Sequence, residues 1–448
     1  MTKEKIFANV DKHRQLILDA ERYIWNNPET GYREWKTHKY LAEKFRELGY
    51  DIVEAGNIPG FYTDIDTGKE GPTLMILGEM DSLIVHDHPE CDKETGAVHS
   101  CGHHAQSAAL LGIAAALSEE GALEGLCGRI RLCAVPAEEG IEVEFRKELK
   151  KQGVIKSITG KGEIIRRGWC DGVDLAFMVH TSSTPQIYCR AGSNGCIVKT
   201  VTYKGVSAHA GGSPYRGINA LYAANVGMTA INALRETFRD TDQIRVHPII
   251  TAGGTVVNAI PETVKLESYV RGATTEAIER ENKKVNRAIA ASAAALGARV
   301  TIDDELAYAP LNNDPGMYEL LKEVAVETVG EENTSFSNIR GSGCTDMGDI
   351  SLIIPSIHPY VGGAKGTSHG ADYYITDPET ACVTSAKFQI MFADALLSNN
   401  AEKGKKIMAE FKPTFGSVKE YIDFSDSLSV ERDTVTYNED GTITLSYC

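Results

Sequence analysis

Three histidines and a cysteine lie within six residues, in the segment His99-Ser100-Cys101-Gly102-His103-His104, directly before a small-residue helix that we predict at Ser107 to Leu117. The whole chain holds 12 histidines, so this local density is unusual. Thiolate and imidazole groups are ligands that zinc and related metals prefer. A capped helix with a buried cysteine and surface histidines would give the same letters. The cluster alone therefore does not decide between a metal site and ordinary structure.

Two adjacent carboxylates, Glu138 and Glu139, closely follow an apolar run at Ile130 to Val135. An isolated pair would be interpreted as a solvated loop. At the end of a buried strand, however, their mutual repulsion must be offset, and a metal ion can do this. One carboxylate would bind the metal while the other stays free as a general base. A further apolar run, Leu175 to Val179, ends at His180 and adds another candidate ligand.

A late histidine, His369, lies between glycines in the segment Gly366 to Gly370, which is typical of a loop with close backbone approach. Together with Cys101, His103, Glu139 and His180 it makes five candidate ligands. Five exceed the four that a tetrahedral zinc takes, but they suit two metals that share a bridging group. The Cys101 thiolate is the candidate bridge.

Asp81 lies at the end of the short segment that follows the apolar run Thr73 to Leu77. We expect it to accept a hydrogen bond from the distal N–H of a ligating imidazole. Farther along the chain, His209, Asn258 and Arg271 stand in small-residue turns or at a strand end. These residue types bind carboxylates and polarise carbonyls. Without the metal cluster, each would be interpreted as a turn residue or an exposed strand end.

The elements that must position these residues are strands that end in candidate ligands. The buried runs at 73–77, 130–135 and 175–179 alternate with helical patterns, which predicts an α/β sheet. Ligands of such sheets bind beyond the carboxyl ends of the strands. The sequence therefore predicts one site along one edge of this sheet.

The middle of the chain has a β-α-β-β-α-β order, which predicts a ferredoxin-like unit. After residue 310 the α/β pattern returns, so we expect one catalytic domain interrupted by an inserted one. Near the end, Asp440-Gly441 between two β-rich runs predicts a hairpin. The predicted boundaries are 1–190 and 309–415 for the catalytic domain, 191–308 for the inserted lid or dimerisation domain, and 416–448 for a hairpin extension.

Composition excludes several classes of function. With 46 Lys+Arg against 62 Asp+Glu, the net charge of −16 argues against nucleic acid and against anionic membranes as partners. The longest apolar stretch, Ala108 to Leu117, is shorter than the roughly 20 residues of a membrane span. The charged N-terminus lacks the apolar segment of a signal peptide, which predicts a cytoplasmic protein with reduced cysteines.

The sequence resembles the di-metal amidohydrolases and peptidases that include aminoacylases, hippurate hydrolases, auxin-conjugate hydrolases and aminobenzoyl-glutamate hydrolases. The resemblance runs from Asn27 to about Lys412. It rests on seven stretches in the order of the family: Pro28 to Gly49, Gly78 to Asp81, Ser100 to His103, Pro136 to Gly140, the surroundings of His209, Gly253 to Pro261, and Ser368 to Gly370. Gly343 to Ser351 is most similar to the aminobenzoyl-glutamate hydrolase and dipeptidase-like branch.

The resemblance implies roles for individual residues. It implies two manganese or zinc ions, with Cys101, His103, Glu139, His180 and His369 as ligands and Glu138 as general base and acid. It also implies a homodimer through the inserted domain, in which His209 reaches the partner's active site while Asn258 and Arg271 hold the substrate carboxylate.

Two departures from the family pattern stand out. His104 replaces the Asp or Asn that commonly follows the Cys-Gly-His triplet, so a change in the hydrogen bonds around the ligands is expected there. The segment Ile141 to Arg167 is longer and more basic than expected, and its position beside the base points to a role in substrate choice.

The predicted function is hydrolysis of the amide bond in N-acyl amino acids or aminobenzoyl-glutamate-like conjugates, by a metal-bound water that Glu138 deprotonates. The alternatives are a metallo-dipeptidase of the same family and a non-catalytic metal-binding relative.

Overall fold

The computed structural model describes residues 1–447, which fold into two compact units. The first comprises residues 1–192, 311–341 and 346–418. The second comprises residues 193–310, 342–345 and the chain from Lys419 onward. None of the helices in the described chain has the length and apolar composition that a bilayer crossing requires.

The helices, in chain order, are α1 (Lys3–Lys12), α2 (Arg14–Trp25), α3 (Trp35–Glu47), α4 (His103–Leu117), α5 (Val143–Lys151), α6 (Gly160–Arg166), α7 (Ala220–Leu234), α8 (Thr275–Ala295), α9 (Pro315–Val329), α10 (Met347–Ser351), α11 (Ser385–Leu397), α12 (Glu402–Glu410) and α13 (Val418–Leu428). The strands are β1 (Val53–Glu54), β2 (Phe61–Asp66), β3 (Thr73–Glu79), β4 (Leu83–Ile84), β5 (Ala97–Val98), β6 (Arg129–Val135), β7 (Leu175–Met178), β8 (His180–Thr181), β9 (Ile187–Arg190), β10 (Gly192–Ser193), β11 (Gly195–Lys204), β12 (Arg245–Val246), β13 (Ile249–Ala252), β14 (Thr263–Gly272), β15 (Arg299–Tyr308), β16 (Leu311–Asn312), β17 (Thr334–Ser337), β18 (Ser356–Ile357), β19 (Tyr360–Val361), β20 (Ala364–Lys365), β21 (Tyr374–Ile375), β22 (Val430–Asp433), β23 (Val435–Tyr437) and β24 (Ile443–Leu445).

The first unit contains a six-stranded sheet in the order β1-β2-β6-β3-β7-β18. Strands β6, β3, β7 and β18 are parallel, and β2 joins β6 antiparallel. Every residue of β3 is buried, which explains its unbroken apolar run. The predicted α/β sheet is therefore confirmed, and the three runs that ended in candidate ligands are β3, β6 and β7.

Helix α4 begins at His103, four residues earlier than the sequence predicted. The expectation that both His103 and His104 precede the helix is wrong, because they form its first turn. Gly102, just before it, has a φ of 96°. A side chain there would place Cβ 1.9 Å from Thr181 Oγ1 and 2.4 Å from Tyr373 Oη, so only glycine fits. The tight packing fixes the start of α4 next to β8.

In the second unit, β12, β14, β11, β15 and β22 form an antiparallel sheet in that order, and β13 also pairs with β14. Helices α7 and α8 pack on the sheet around a core that includes Val201, Val264 and Ile289. The order of the four principal strands is that of a ferredoxin-like fold, as predicted. The predicted hairpin also forms, between β23 and β24.

Candidate active site

Donor side chains from the ends of neighbouring parallel strands meet in the first unit. Three trios have ligand atoms that lie within 4.8 Å of one another: Cys101–His103–His180, Cys101–Glu139–His369 and Glu79–His103–Glu138. The first two trios contain all five of the ligands that the sequence predicted. The third adds Glu138, the predicted base, and Glu79, which the sequence did not assign to the site.

Cys101 belongs to two of these trios. Its Sγ lies 3.4 Å from His180 Nε2, and only 8% of the residue is exposed. The other ring nitrogen of His180, Nδ1, donates to the carbonyl oxygen of Thr181 at 2.7 Å. This hydrogen bond leaves the Nε2 lone pair directed at the thiol. Burial, with the nearby charge of His103, lowers the pKa of His180 to about 3, so the ring is neutral at pH 7 and can act as a ligand.

Asp81, which the sequence named as a candidate acceptor for a ligating imidazole, contacts His103. The Nδ1 of His103 donates to the Asp81 carbonyl oxygen at 2.9 Å and lies 3.1 Å from Asp81 Oδ1. The other carboxylate oxygen of Asp81 accepts the backbone N–H of Glu139 at 2.8 Å. One aspartate thus orients a histidine and the turn that carries a carboxylate, which is how groups that support metal ligands are commonly arranged.

Glu139 and His369 form the other side of the cluster, where Glu139 Oε1 lies 3.4 Å from His369 Nε2. His369 has a φ of 66°, a conformation that few residues other than glycine adopt. Its backbone N–H donates to the Ser100 carbonyl oxygen at 2.9 Å. The strained loop is therefore tied to the segment that carries Cys101, and strain of this kind is frequent at functional sites.

Two buried atoms of the cluster have no hydrogen-bond partner within the described chain, His103 Nε2 and Glu139 Oε1. A buried polar atom without a partner costs free energy. Both atoms lie where the trios converge, and with the Cys101 thiol they make a set of sulfur, nitrogen and oxygen donors. Such a set suits divalent metal ions, since thiolate and imidazole groups bind zinc well and carboxylate oxygens bind the harder manganese.

Glu138 is buried at the same edge, with Oε2 4.0 Å from His103 Nε2. Burial is the largest cause that raises its pKa well above the ordinary value, and the negative charges of Glu79 and Glu139 add to it. A carboxyl group with a raised pKa is a better proton acceptor near neutral pH. This is the property expected of a general base.

Three residues that sequence reasoning did not assign to the site form a buried ion cluster behind it. Lys161 Nζ lies 2.5 Å from Glu79 Oε1 and 2.5 Å from Asp346 Oδ1. Glu79 Oε2 in turn lies 3.2 Å from His103 Nε2. Glu79 could have been found, because it stands two residues before Asp81 and so on the same face of an extended chain. Lys161 and Asp346 lie 185 residues apart, and no local pattern links them.

His104 contacts helix α2. Its Nε2 lies 3.3 Å from Glu21 Oε1, and its ring centroid lies 5.0 Å from that of Trp25. As neighbours in one helical turn, His103 and His104 point in different directions.

The candidate substrate residues lie in the second unit, but at two different ends of its sheet. The backbone N–H of Ala210 donates to the Asn258 carbonyl oxygen at 2.9 Å, so Asn258 adjoins the loop that carries His209. Arg271 instead pairs in register with Cys196, at the opposite end of β11 from Lys204 and His209. About eight residues of strand separate these ends, a distance on the order of 25 Å.

A model of Peptidase family M20/M25/M40 matches residues 40–393 of the chain. The Xaa-Arg dipeptidase of Mus musculus is 28% identical over 385 residues, which are 83% of this chain and 83% of that protein. One of the subunits of the p-aminobenzoyl-glutamate hydrolase of Escherichia coli is 27% identical over 73% of this chain and 66% of its own length.

Among solved structures, a dinuclear metal-binding peptidase of the M20 family from Bacillus subtilis superposes with a TM-score of 0.66. The match covers 86% of this chain and 99% of that one, at 20% identity. The likeness supports the fold described above.

Proposed function

This chain belongs to peptidase family M20/M25/M40 and is a metal-dependent amide hydrolase, and we propose that it cleaves N-acyl amino acids or aminobenzoyl-glutamate-like conjugates. The observation that carries the proposal is the convergence of two donor trios on Cys101, next to a buried carboxylate with a raised pKa. We assign Cys101, His103, Glu139, His180 and His369 as ligands of two divalent ions, manganese or zinc, and Glu138 as the base.

Divalent ions bound there would polarise the substrate carbonyl and acidify a water molecule. Glu138 takes the proton from the attacking water, since its pKa is raised and its carboxylate borders the donor atoms. The same carboxyl group then gives the proton to the leaving amine. Asp81 keeps the His103 ring in one tautomer and orientation throughout.

His209 is suited to stabilise the developing oxyanion. Its Nδ1 accepts the backbone N–H groups of Gly211 at 3.1 Å and of Gly212 at 2.9 Å. Because that nitrogen is an acceptor, the neutral ring carries its proton on Nε2. The exposed imidazole therefore presents a donor to solvent, as an oxyanion hole requires.

The second unit supports a homodimer in which this donor acts in trans. Arg271 and Asn258 lie on the order of 25 Å apart in one chain, too far to bind the same small substrate. A second copy could bring its own His209 and Asn258 to the end of the sheet where Arg271 lies. Arg271 would bind the substrate carboxylate and Asn258 would orient its amide.

The substrate class can be tested on protein reconstituted with manganese or zinc. N-acetyl and N-benzoyl amino acids and aminobenzoyl-glutamate should be hydrolysed faster than dipeptides. A preference for dipeptides would favour the second candidate, a metallo-dipeptidase, which the similarity to the mouse Xaa-Arg dipeptidase supports. A reconstituted protein that binds less than one metal per chain would contradict the proposed site.

The in-trans role can be tested by mixing two inactive variants, E138Q and H209A, after dissociation. A mixed dimer would contain one site with both groups intact, because Glu138 and His209 would come from different chains. Random mixing makes half of the dimers mixed, so about a quarter of the wild-type activity should return. Lack of recovery, or a monomeric mass, would contradict the in-trans role.

A further inference from the structure

Lys161 lies against the cluster of candidate metal ligands, although its ammonium group cannot itself bind a metal ion. Its side chain is fully buried, and its ammonium group makes ion pairs of 2.5 Å with both Glu79 and Asp346. Its backbone N–H also donates to Asp346 Oδ2 at 2.8 Å. A buried ammonium group is costly unless it is paired, so this arrangement is specific rather than incidental.

The position of Lys161 is fixed by the turn that carries Glu138 and Glu139. Helix α6 begins at Gly160, whose N–H donates to the Ala137 carbonyl oxygen at 2.9 Å. A Cβ on Gly160 would lie 1.6 Å from the Pro136 carbonyl oxygen, so the two backbones are in direct contact. The longer, basic segment noted in the sequence thus folds onto this turn and delivers its lysine to the end of β3.

Glu79 is the group that Lys161 restrains. Lys161 binds its Oε1, while Oε2 accepts from Gln106 Nε2 at 2.9 Å. The same Oε2 lies 3.2 Å from His103 Nε2, and Glu79, His103 and Glu138 form a trio that could hold a cation. Glu79 is therefore a potential competitor for His103, the ligand that the first trio needs.

We propose that Lys161 is a positioning residue that keeps Glu79 out of the metal site. With Glu79 held, His103 joins Cys101 and His180, and Glu138 keeps its role as the base. Without the ammonium group, an uncompensated buried carboxylate would draw a cation toward Glu79 and Glu138. This inference rests on the metal ligands assigned under the proposed function.

The trio Cys101–His103–His180 and the trio Glu79–His103–Glu138 differ in the metal that they prefer. The trio of one thiolate and two imidazoles favours zinc, whereas two carboxylates with one imidazole favour a harder ion such as manganese. Lys161 would therefore help to set metal selectivity as well as to protect the base. This consequence can be measured without any substrate.

The test is the variant K161M in the full chain, stripped of metal and titrated separately with Zn²⁺ and Mn²⁺. Zinc affinity is measured against a chromogenic chelator, and free Mn²⁺ by electron paramagnetic resonance. We expect the ratio of manganese affinity to zinc affinity to rise by about tenfold or more, the usual scale when a group that supports metal ligands is removed. A folded K161M protein with the wild-type ratio would overturn the proposal.

The chain offers a matched control in Lys199, which is equally buried and paired with Asp304 in the second unit. K199M should lower stability and leave the metal ratio unchanged. If K199M shifted the ratio as much as K161M does, the effect would be general destabilisation and the proposal would fail.

E79Q keeps the pair between Lys161 and Asp346 and tests the proposal even if K161M does not fold. It should bind two metals with the wild-type ratio, and the double variant E79Q/K161M should return to that ratio. Loss of one metal from E79Q would make Glu79 a ligand and refute the proposal. Wild-type protein that binds no metal would instead refute the proposed function.

Discussion

Replacing Glu138 by glutamine removes the proposed base while keeping the shape of the side chain. Glu138 is 8% exposed and lies just beyond the end of β6, next to the donor atoms but outside the five assigned ligands. E138Q should therefore retain both metals and lose the group that moves the proton between water and the leaving amine.

The expected loss follows from that role. General base and acid catalysis contributes about 10²–10⁴ in rate, which corresponds to about 3–5 kcal/mol of transition-state stabilisation. The same change should stabilise the metal-free protein. Glu138 is buried and repelled by Glu79, Glu139 and Asp346, so removing its charge should raise the free energy of unfolding by about 0.5–2 kcal/mol.

The assay measures kcat on the best substrate of the panel, with metal content determined on the same samples and unfolding followed in urea without metal. E144Q, an exposed substitution on α5, is the matched control. It should leave kcat, the metal content and the free energy of unfolding unchanged. A doubly metallated E138Q enzyme with kcat within tenfold of wild type would refute the assignment of the base.

Three further changes test other parts of the site. D81N should weaken metal binding by about 10–100-fold in a chelator competition, because Asp81 orients His103; unchanged affinity would contradict that role. G160A should cut kcat by about 100-fold or unfold the protein, because the added Cβ would overlap the Pro136 carbonyl oxygen. The control is G343A, whose Cβ would extend into open space and should change neither kcat nor folding. R271M should raise KM by about 10–100-fold with little change in kcat, and an unchanged KM for carboxylate substrates would exclude this arginine from binding.

The sequence was sufficient where a strand and the candidate ligand that follows it are contiguous. A parallel strand buried on both faces is an unbroken apolar run, so β3, β6 and β7 and the residues that follow them could be located directly. Asp81 could be placed near the candidate ligand His103 by the same reasoning, because it closely follows β3.

What the sequence could not supply was contact between distant segments. Helix α4 starts at His103, earlier than predicted, because Gly102 is fixed by packing against Thr181 and Tyr373 and not by helix propensity. Lys161 was visible only as part of a basic segment, and its partner Asp346 only as part of a motif. The separation of Arg271 from His209 can be recognised only from the register of β11 and β14, which the spacing of residues along the chain does not give.

The ion cluster also bears on how an acidic protein can bind an acidic substrate. Glu79, Asp81, Glu138, Glu139 and Asp346 are all buried at one edge of the sheet, and Lys161 makes ion pairs with Glu79 and Asp346. Divalent ions would offset the remaining negative charge, so metal removal should weaken the fold as well as stop catalysis. If the substrate carries a carboxylate as proposed, its attraction would depend on those ions and on Arg271, against the field of a chain with a net charge of −16. Because salt screens local pairing with Arg271, added salt should raise KM for a carboxylate substrate; a lower KM would instead show that repulsion by the whole chain dominates the approach.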